Sequence, residues 1–224
     1  IDKNSVKSLV FAIPSVPRSP ETVCSTLSSV LKNEISVDAK VLIHRRGKIS
    51  CPYFSDSRVI VRQFQPHDAN TNDNQIQDYL ALISDLQTLP GVSHVMFLDD
   101  DIEFCNGIRN TYEKMISVQG FTLGHMGRGG SGIVVPVNRL KSLQSHVQSH
   151  VDNVDISMIR WAMRTEKACS LRPRRVQILH KGSVSSIDRR PRGGGLNHRW
   201  YDTDRCNGQV NNFNFQAMSE IYSK

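Results

Sequence analysis

No run of apolar residues in this 224-residue sequence approaches the ~20 needed to cross a bilayer, so no membrane span is expected. No two of the five cysteines (Cys24, Cys51, Cys105, Cys169 and Cys206) stand at the short spacing of a zinc site. Their odd number and wide scatter suggest no disulfide framework, which favours a reducing compartment. There is no internal repeat, and the ordinary apolar content excludes wholesale disorder. The length fits one α/β domain with a substantial core. The first residue is Ile1, not Met, so the chain is compatible with a piece of a longer protein carrying a signal or anchor elsewhere.

What is present in excess is positive charge. The formal net charge is +7, and the excess is densest in Arg172, Arg174, Arg175, Lys181, Arg189, Arg190 and Arg192. Such a surface attracts anions: nucleic acid, acidic membranes, nucleotides or phosphorylated sugars. A solvated basic face is the plainer alternative.

The first hundred residues alternate strand and helix. Ser8 to Ile13 reads as a buried strand, and PSVPRSP after it as a loop. Val23, Leu27, Val30 and Leu31 then share one helical face, with Ser19 as the cap and Pro20 in the first turn. Strands follow over Ala39–His44 and Arg58–Phe64. Asn74–Thr88 has helical spacing. His94 to Leu98 is an apolar strand that runs straight into Asp99, Asp100 and Asp101. This alternation predicts an α/β fold with a mostly parallel central sheet flanked by helices. Farther on, helices are expected over Asn106–Val118, Val137–Val151 and Asp155–Glu166. Strands are expected after the glycine-rich Gly127–Gly132 and over Arg175–Leu179. The tail from Lys181 reads as a loop ending in a short helix. Residues 1–224 are taken as one domain, with a nucleotide-binding half of about 1–105 and an acceptor-side half of about 106–224.

Three carboxylates at one strand end repel one another, and a hard divalent cation with oxygen ligands, Mg²⁺ or Mn²⁺, would compensate them. Residues i and i+2 of an extended segment point the same way. Asp99 and Asp101 could therefore face one ion while Asp100 turns toward a sugar or ribose. A solvated acidic turn is the alternative.

Three stretches carry a family resemblance. FAIPSVPRSPETVCSTLSSVL resembles the first nucleotide-binding turn of N-acetylglucosaminyltransferase IV-like enzymes. NQIQDYLALISDL through HVMFLDDDIEF and the late LHKGSVSSI are similar to later segments of that group. The glycosylphosphatidylinositol-modifying GalNAc transferase looks like a more distant relative, and small GT-A domains of large algal viruses share the compact form. The resemblance implies a single GT-A (Rossmann-like) domain with a DxD motif at a strand end. It implies transfer of a hexose from a UDP-sugar, UDP-glucose or UDP-GlcNAc, to a glycan or glycoprotein hydroxyl, with Mn²⁺ (or Mg²⁺) as cofactor. It places metal ligation on Asp99, Asp101 and His180, and an acceptor or sugar loop on Arg128, Gly129, Gly130 and Ser131. It places the catalytic base on Asp155, with Asp152 as runner-up. Pro14, Ser15, Val16 and Arg18 would hold the nucleotide, with Asp68 and Asp78 as further base or ribose contacts. Asp99 and Asp100 would touch the donor, and Lys181 and Ser183 would reach the diphosphate. The chain's triple aspartate departs from the Glu-Asp-Asp frequent in relatives. A cytoplasmic location is expected, that of the host if the protein is viral. A Golgi lumen is expected if the chain is part of an anchored enzyme.

Chemistry alone leaves alternatives at each position. Asp155 could simply cap a helix, the glycine loop could be a plain hairpin, and His180 a packed histidine. The loop lacks the Lys-Ser/Thr ending of a phosphate-binding P-loop. His67-Asp68 lacks the partners of a phosphohydrolase, and His146 and His150 lack the intervening Glu of a zinc protease. A nucleotidyltransferase would share the aspartates but wants a Gly- and Lys-rich first loop. A nucleic-acid module could use RRPRGGG with Trp200 and Tyr201, yet leaves the aspartates unexplained; no nucleic-acid partner is expected.

Overall fold

The computed structural model describes residues 8–15, 22–64, 71–127, 131–150, 154–162, 169–173, 176–181 and 215–217. In it the first apolar run forms β1 (Leu9–Ser15), buried at every residue but Pro14. A strand with no polar face must be covered on both sides, and two helices do this. On one side, α1 (Val23–Lys32) places Val23, Leu27 and Val30 in a cluster with Phe11 and Ile13. On the other, α2 (Thr71–Thr88) clusters Ile76, Leu82, Ile83 and Leu86 with Val10 and Ala12. α1 starts later than the Ser19 cap predicts. Its hydrogen bonding begins at Thr22, whose carbonyl accepts from Thr26 N–H at 3.1 Å, so Thr22 is the cap position.

β2 (Lys40–Arg46) and β3 (Val59–Phe64) extend the sheet in parallel to one side of β1. The chain then crosses over, and β4 (His94–Phe97) pairs in parallel with β1's other edge. The strand order therefore reverses between β1 and β4. In open α/β sheets such a reversal opens a crevice beyond the carboxyl ends of the two strands, the usual place for a ligand.

The remaining elements are β5 (Ile102–Phe104), α3 (Ile108–Ile116), β6 (Phe121–His125), β7 (Ile133–Pro136), α4 (Leu140–Ser149), α5 (Val154–Arg160), β8 (Cys169–Pro173), β9 (Ile178–His180) and β10 (Phe215–Ala217). The main sheet runs β10-β8-β6-β7-β4-β1-β2-β3, and β5 pairs with β9 in a separate ribbon. The pairings of β7 with β4 and β6, and of β10 with β8, are antiparallel. The four pairings β1–β2, β1–β4, β2–β3 and β6–β8 are parallel. The fold is thus α/β, with a mixed, mostly parallel sheet flanked by helices. Near the chain end β10 satisfies backbone groups along β8's free edge, while the expected short helix at the end of the tail falls outside the described residues. Among the described residues, no helix is long and apolar enough to cross a membrane.

The cysteine reading needs correction. Cys24, in the first turn of α1, and Cys51, in the loop after β2, form a disulfide with Cα atoms 5.6 Å apart. Cys105 is disulfide-bonded as well. The 27-residue separation is wide in sequence, but β2 runs parallel to β1 and returns Cys51 beside α1. The ground for a reducing compartment is thereby removed. Closing a loop of this length stabilises by about 3–4 kcal/mol in the chain-entropy model. Cys24→Ser with Cys51→Ser is expected to lower the denaturation free energy by about that amount in urea titrations, and an unchanged midpoint would contradict the bond.

Candidate metal centre

β4 ends at Phe97, and Leu98 still donates its N–H to Ala12 C=O at 2.9 Å. The three aspartates therefore emerge at the mouth of the β1–β4 crevice. Asp100 and Asp101 are 2% exposed. Ser15, the last residue of β1, donates its hydroxyl to Asp100 Oδ2 at 3.0 Å across the crevice. Asp100 is thus held by Ser15 at the site expected to meet a sugar or ribose.

Asp99 and Asp101 both face His180, as alternation along an extended segment requires. His180 Nε2 lies 3.1 Å from Asp99 Oδ2, and its Nδ1 lies 3.2 Å from Asp101 Oδ1. The β5–β9 ribbon brings the histidine there. Ile102 pairs with His180, and Lys181 N–H donates to Asp101 C=O at 2.6 Å. α1 fixes the ribbon from behind. Thr26 Oγ1 accepts from Ile102 N–H at 2.9 Å and donates to Ile102 C=O at 3.2 Å, and Ser29 Oγ accepts from Phe104 N–H at 2.8 Å.

The glycine-rich loop meets the same cluster. Ser131, fully buried, accepts from Asp99 N–H at 3.1 Å and donates to Asp99 Oδ2 at 2.8 Å. Gly132 takes φ +77°, and a Cβ there would fall 2.5 Å from Ile178 Cδ1. Glycine is therefore required where this loop crosses β9.

The electrostatics describe a place built for positive charge. Burial works against protonating His180, but Asp101 and Asp99 outweigh it and push its pKa up to about 9. Burial works to raise Asp99, yet the hydrogen bond and charge of His180 hold its carboxyl below the ordinary value. The imidazolium occupies the position a cation would neutralise. Donor atoms of Asp99, Asp101 and His180 all lie within 4.8 Å of one another, so one ion could take all three. Two carboxylates and an imidazole suit Mn²⁺ or another first-row divalent ion.

Asp155 stands in the first turn of α5, which, with Trp161 just past its end, packs Val154 and Met158 into the α2 core. Trp161 Nε1 donates to Ser142 Oγ at 3.0 Å and fixes that packing on α4. Asp155 accepts from Ile156 N–H at 2.9 Å, so the capping role is real. Its carboxyl also feels the charges of the centre. Burial first, and then the charge of Asp99, raise its pKa above the ordinary carboxylate value, while His180 pulls the other way.

Other expected residues lie differently. Pro14 sits partly buried in β1, in register with His44. Asp78 takes a two-pronged ion pair from Arg46 Nε at 2.9 and 2.8 Å, and Arg46 also donates to Asn74 C=O at 2.9 Å. The Arg46 guanidinium lies 5.4 Å from the Phe64 ring centroid. Sequence reading missed this pair at the carboxyl end of β2. Lys181 pairs with Glu103 on β5. Val16, Arg18, Asp68, Arg128, Gly129, Gly130, Asp152 and Ser183 lie outside the described residues, as do His67 and the RRPRGGG segment. His146 and His150 stack with ring centroids 3.9 Å apart on α4, with His150 exposed.

No protein-family model matches this chain, and no curated protein matches it.

The site's geometry carries a pH prediction. A metal ion needs neutral imidazole, whereas His180 is protonated up to about pH 9. Between pH 6.5 and 9, Mn²⁺ binding is expected to release close to one proton, and affinity to rise up to tenfold per pH unit. Titration calorimetry in buffers of different ionisation enthalpy measures this, and heats independent of buffer would contradict it. Without metal the sign is opposite for stability. The folded pKa exceeds the unfolded value near 6.5, so this contribution is complete below that pH and fades toward pH 9.

Proposed function

We propose that this chain is a metal-dependent glycosyltransferase of the GT-A type, moving a hexose from a UDP-sugar to an acceptor hydroxyl with inversion. One observation carries the reading: Asp99, Asp101 and His180 converge at the β1–β4 switch point. Asp99, Asp101 and His180 would hold Mn²⁺ (or Mg²⁺), which when bound neutralises charge on the donor's diphosphate. The rest of the work belongs to the chain. Asp155 accepts the proton of the acceptor hydroxyl. The acceptor oxygen then forms its bond to the anomeric carbon as the bond to the diphosphate breaks, and UDP leaves with that electron pair. A raised carboxylate pKa suits a base that must take a proton near neutral pH. Ser131 and Ser15 act as positioning residues, fixing the Asp99 and Asp100 carboxylates. The Cys24–Cys51 disulfide supports folding in an oxidising compartment, in keeping with a lumenal enzyme.

The test is a thermal-shift panel of nucleotide sugars with and without Mn²⁺. The reading expects stabilisation by one or more UDP-sugars only when the metal is present, and release of free UDP on turnover. Release of pyrophosphate instead would assign a nucleotidyltransferase.

A further inference from the structure

β5 and β9 form a ribbon of only two strands, and such a ribbon is marginal by itself in water. Its hydrogen bonds show which way its backbone faces. Lys181 N–H donates to Asp101 C=O at 2.6 Å and Cys105 N–H to Gln177 C=O at 2.9 Å, on either side of the Ile102–His180 and Phe104–Ile178 pairs. Both pairs are therefore of the non-hydrogen-bonded kind, in which each residue's own N–H and C=O point away from the partner strand. Ile102 is 1% exposed, so water does not satisfy its two groups. Thr26 does. Its single hydroxyl accepts from Ile102 N–H at 2.9 Å and donates to Ile102 C=O at 3.2 Å. Ser29, three residues on and on the same helix face, accepts from Phe104 N–H at 2.8 Å. α1 thus stands where a third strand of the ribbon would stand.

We propose that Thr26 is a positioning residue of the metal centre, fixing the separation of Asp101 and His180 through the backbone of Ile102. The inference rests on the metal-dependent reading of the site. Ile102 follows Asp101 directly and is in register with His180, so it is joined to two of the three candidate ligands, one along the chain and one across the ribbon. Thr26 is fully buried, and its own N–H is bonded to Thr22 C=O at 3.1 Å, so the helix holds the hydroxyl in place. Removing the hydroxyl leaves a backbone donor and a backbone acceptor buried without partners, which is costly. The ribbon relieves that cost by shifting, and the shift carries His180 and Asp101 out of their common spacing. No charge changes, so the effect falls on the geometry of the ligand set.

Titration calorimetry with Mn²⁺ compares wild type, Thr26→Val and Thr26→Ser. Valine keeps the shape and loses the hydroxyl, whereas serine keeps the hydroxyl. Thr26→Val is expected to bind about tenfold more weakly, as when a metal site loses an outer-shell partner, and Thr26→Ser within about a factor of two of wild type. Amide hydrogen exchange reads the cause. Lys181 N–H should exchange faster in Thr26→Val, while the amides of β1 keep wild-type protection and so show that the variant is folded. Should Thr26→Val not fold, Ser29→Ala takes its place, orphaning only Phe104 N–H, with about a threefold loss expected. Wild-type affinity in the folded variant overturns the proposal, as does a loss in Thr26→Ser equal to that in Thr26→Val. A wild type that binds no Mn²⁺ overturns the underlying reading and this inference with it.

Discussion

Asp101→Asn is expected to abolish measurable Mn²⁺ binding. Loss of an outer-shell partner alone costs a metal site roughly 10–100-fold, so removal of a direct ligand should cost at least about a hundredfold. The side chain is fully buried, and its carboxylate faces His180. The amide keeps its shape, and the backbone bond from Lys181 N–H to Asp101 C=O is untouched. The ribbon should therefore stay in place, and the variant should show wild-type circular dichroism. Losing that carboxylate also removes the group whose hydrogen bond does most to raise His180's pKa. The imidazole should titrate nearer 6.5, visible by NMR. Wild-type metal affinity in this variant would remove Asp101 from the ligand set.

The second large effect falls on chemistry and spares binding. Asp155→Asn is expected to keep Mn²⁺-dependent UDP-sugar affinity within about a factor of two while kcat falls roughly 10²–10⁴-fold, the usual worth of a positioned base. The asparagine oxygen can still accept from Ile156 N–H, so the cap survives. In wild type, kcat should rise with pH through a carboxyl pKa that burial and Asp99 have raised. Asp155→Asn should lose that limb. If turnover persists with an unchanged pH profile, the base is elsewhere.

How much of this was legible in the sequence follows from the physics of each segment. β1 and β4 are continuous apolar runs because both faces are covered, and α1 shows its apolar stripe because only one face is. Those features gave the doubly wound half and placed the aspartates at a strand end. β5, β6, β8 and β10 gave no comparable signal. They are three to five residues long, and β5 follows directly on the aspartates. Their pairing is long-range: Ile102 meets His180 across a separation that spacing cannot report. Without the family resemblance, nothing along the chain singles out His180 from seven other histidines. Ser131 was expected in a sugar-binding loop, yet its hydroxyl is spent on Asp99. Its full burial beside Gly132 explains why: a glycine at positive φ lets the loop turn in under the acidic motif. The Arg46–Asp78 pair was invisible because β2 and α2 each supply only one charged residue to it. The Cys24–Cys51 bond was invisible for the same reason, since adjacency of α1 and the loop after β2 is a product of the crossover.

The account stands on a cation held between Asp99, Asp101 and His180. Crystals grown with Mn²⁺ and UDP, measured at a wavelength where manganese scatters anomalously, test it directly. The account predicts one strong anomalous peak about 2 Å from oxygens of both aspartates and a His180 ring nitrogen, with the UDP diphosphate against it. Bound UDP with no peak among these three side chains, or manganese bound only elsewhere, would contradict it.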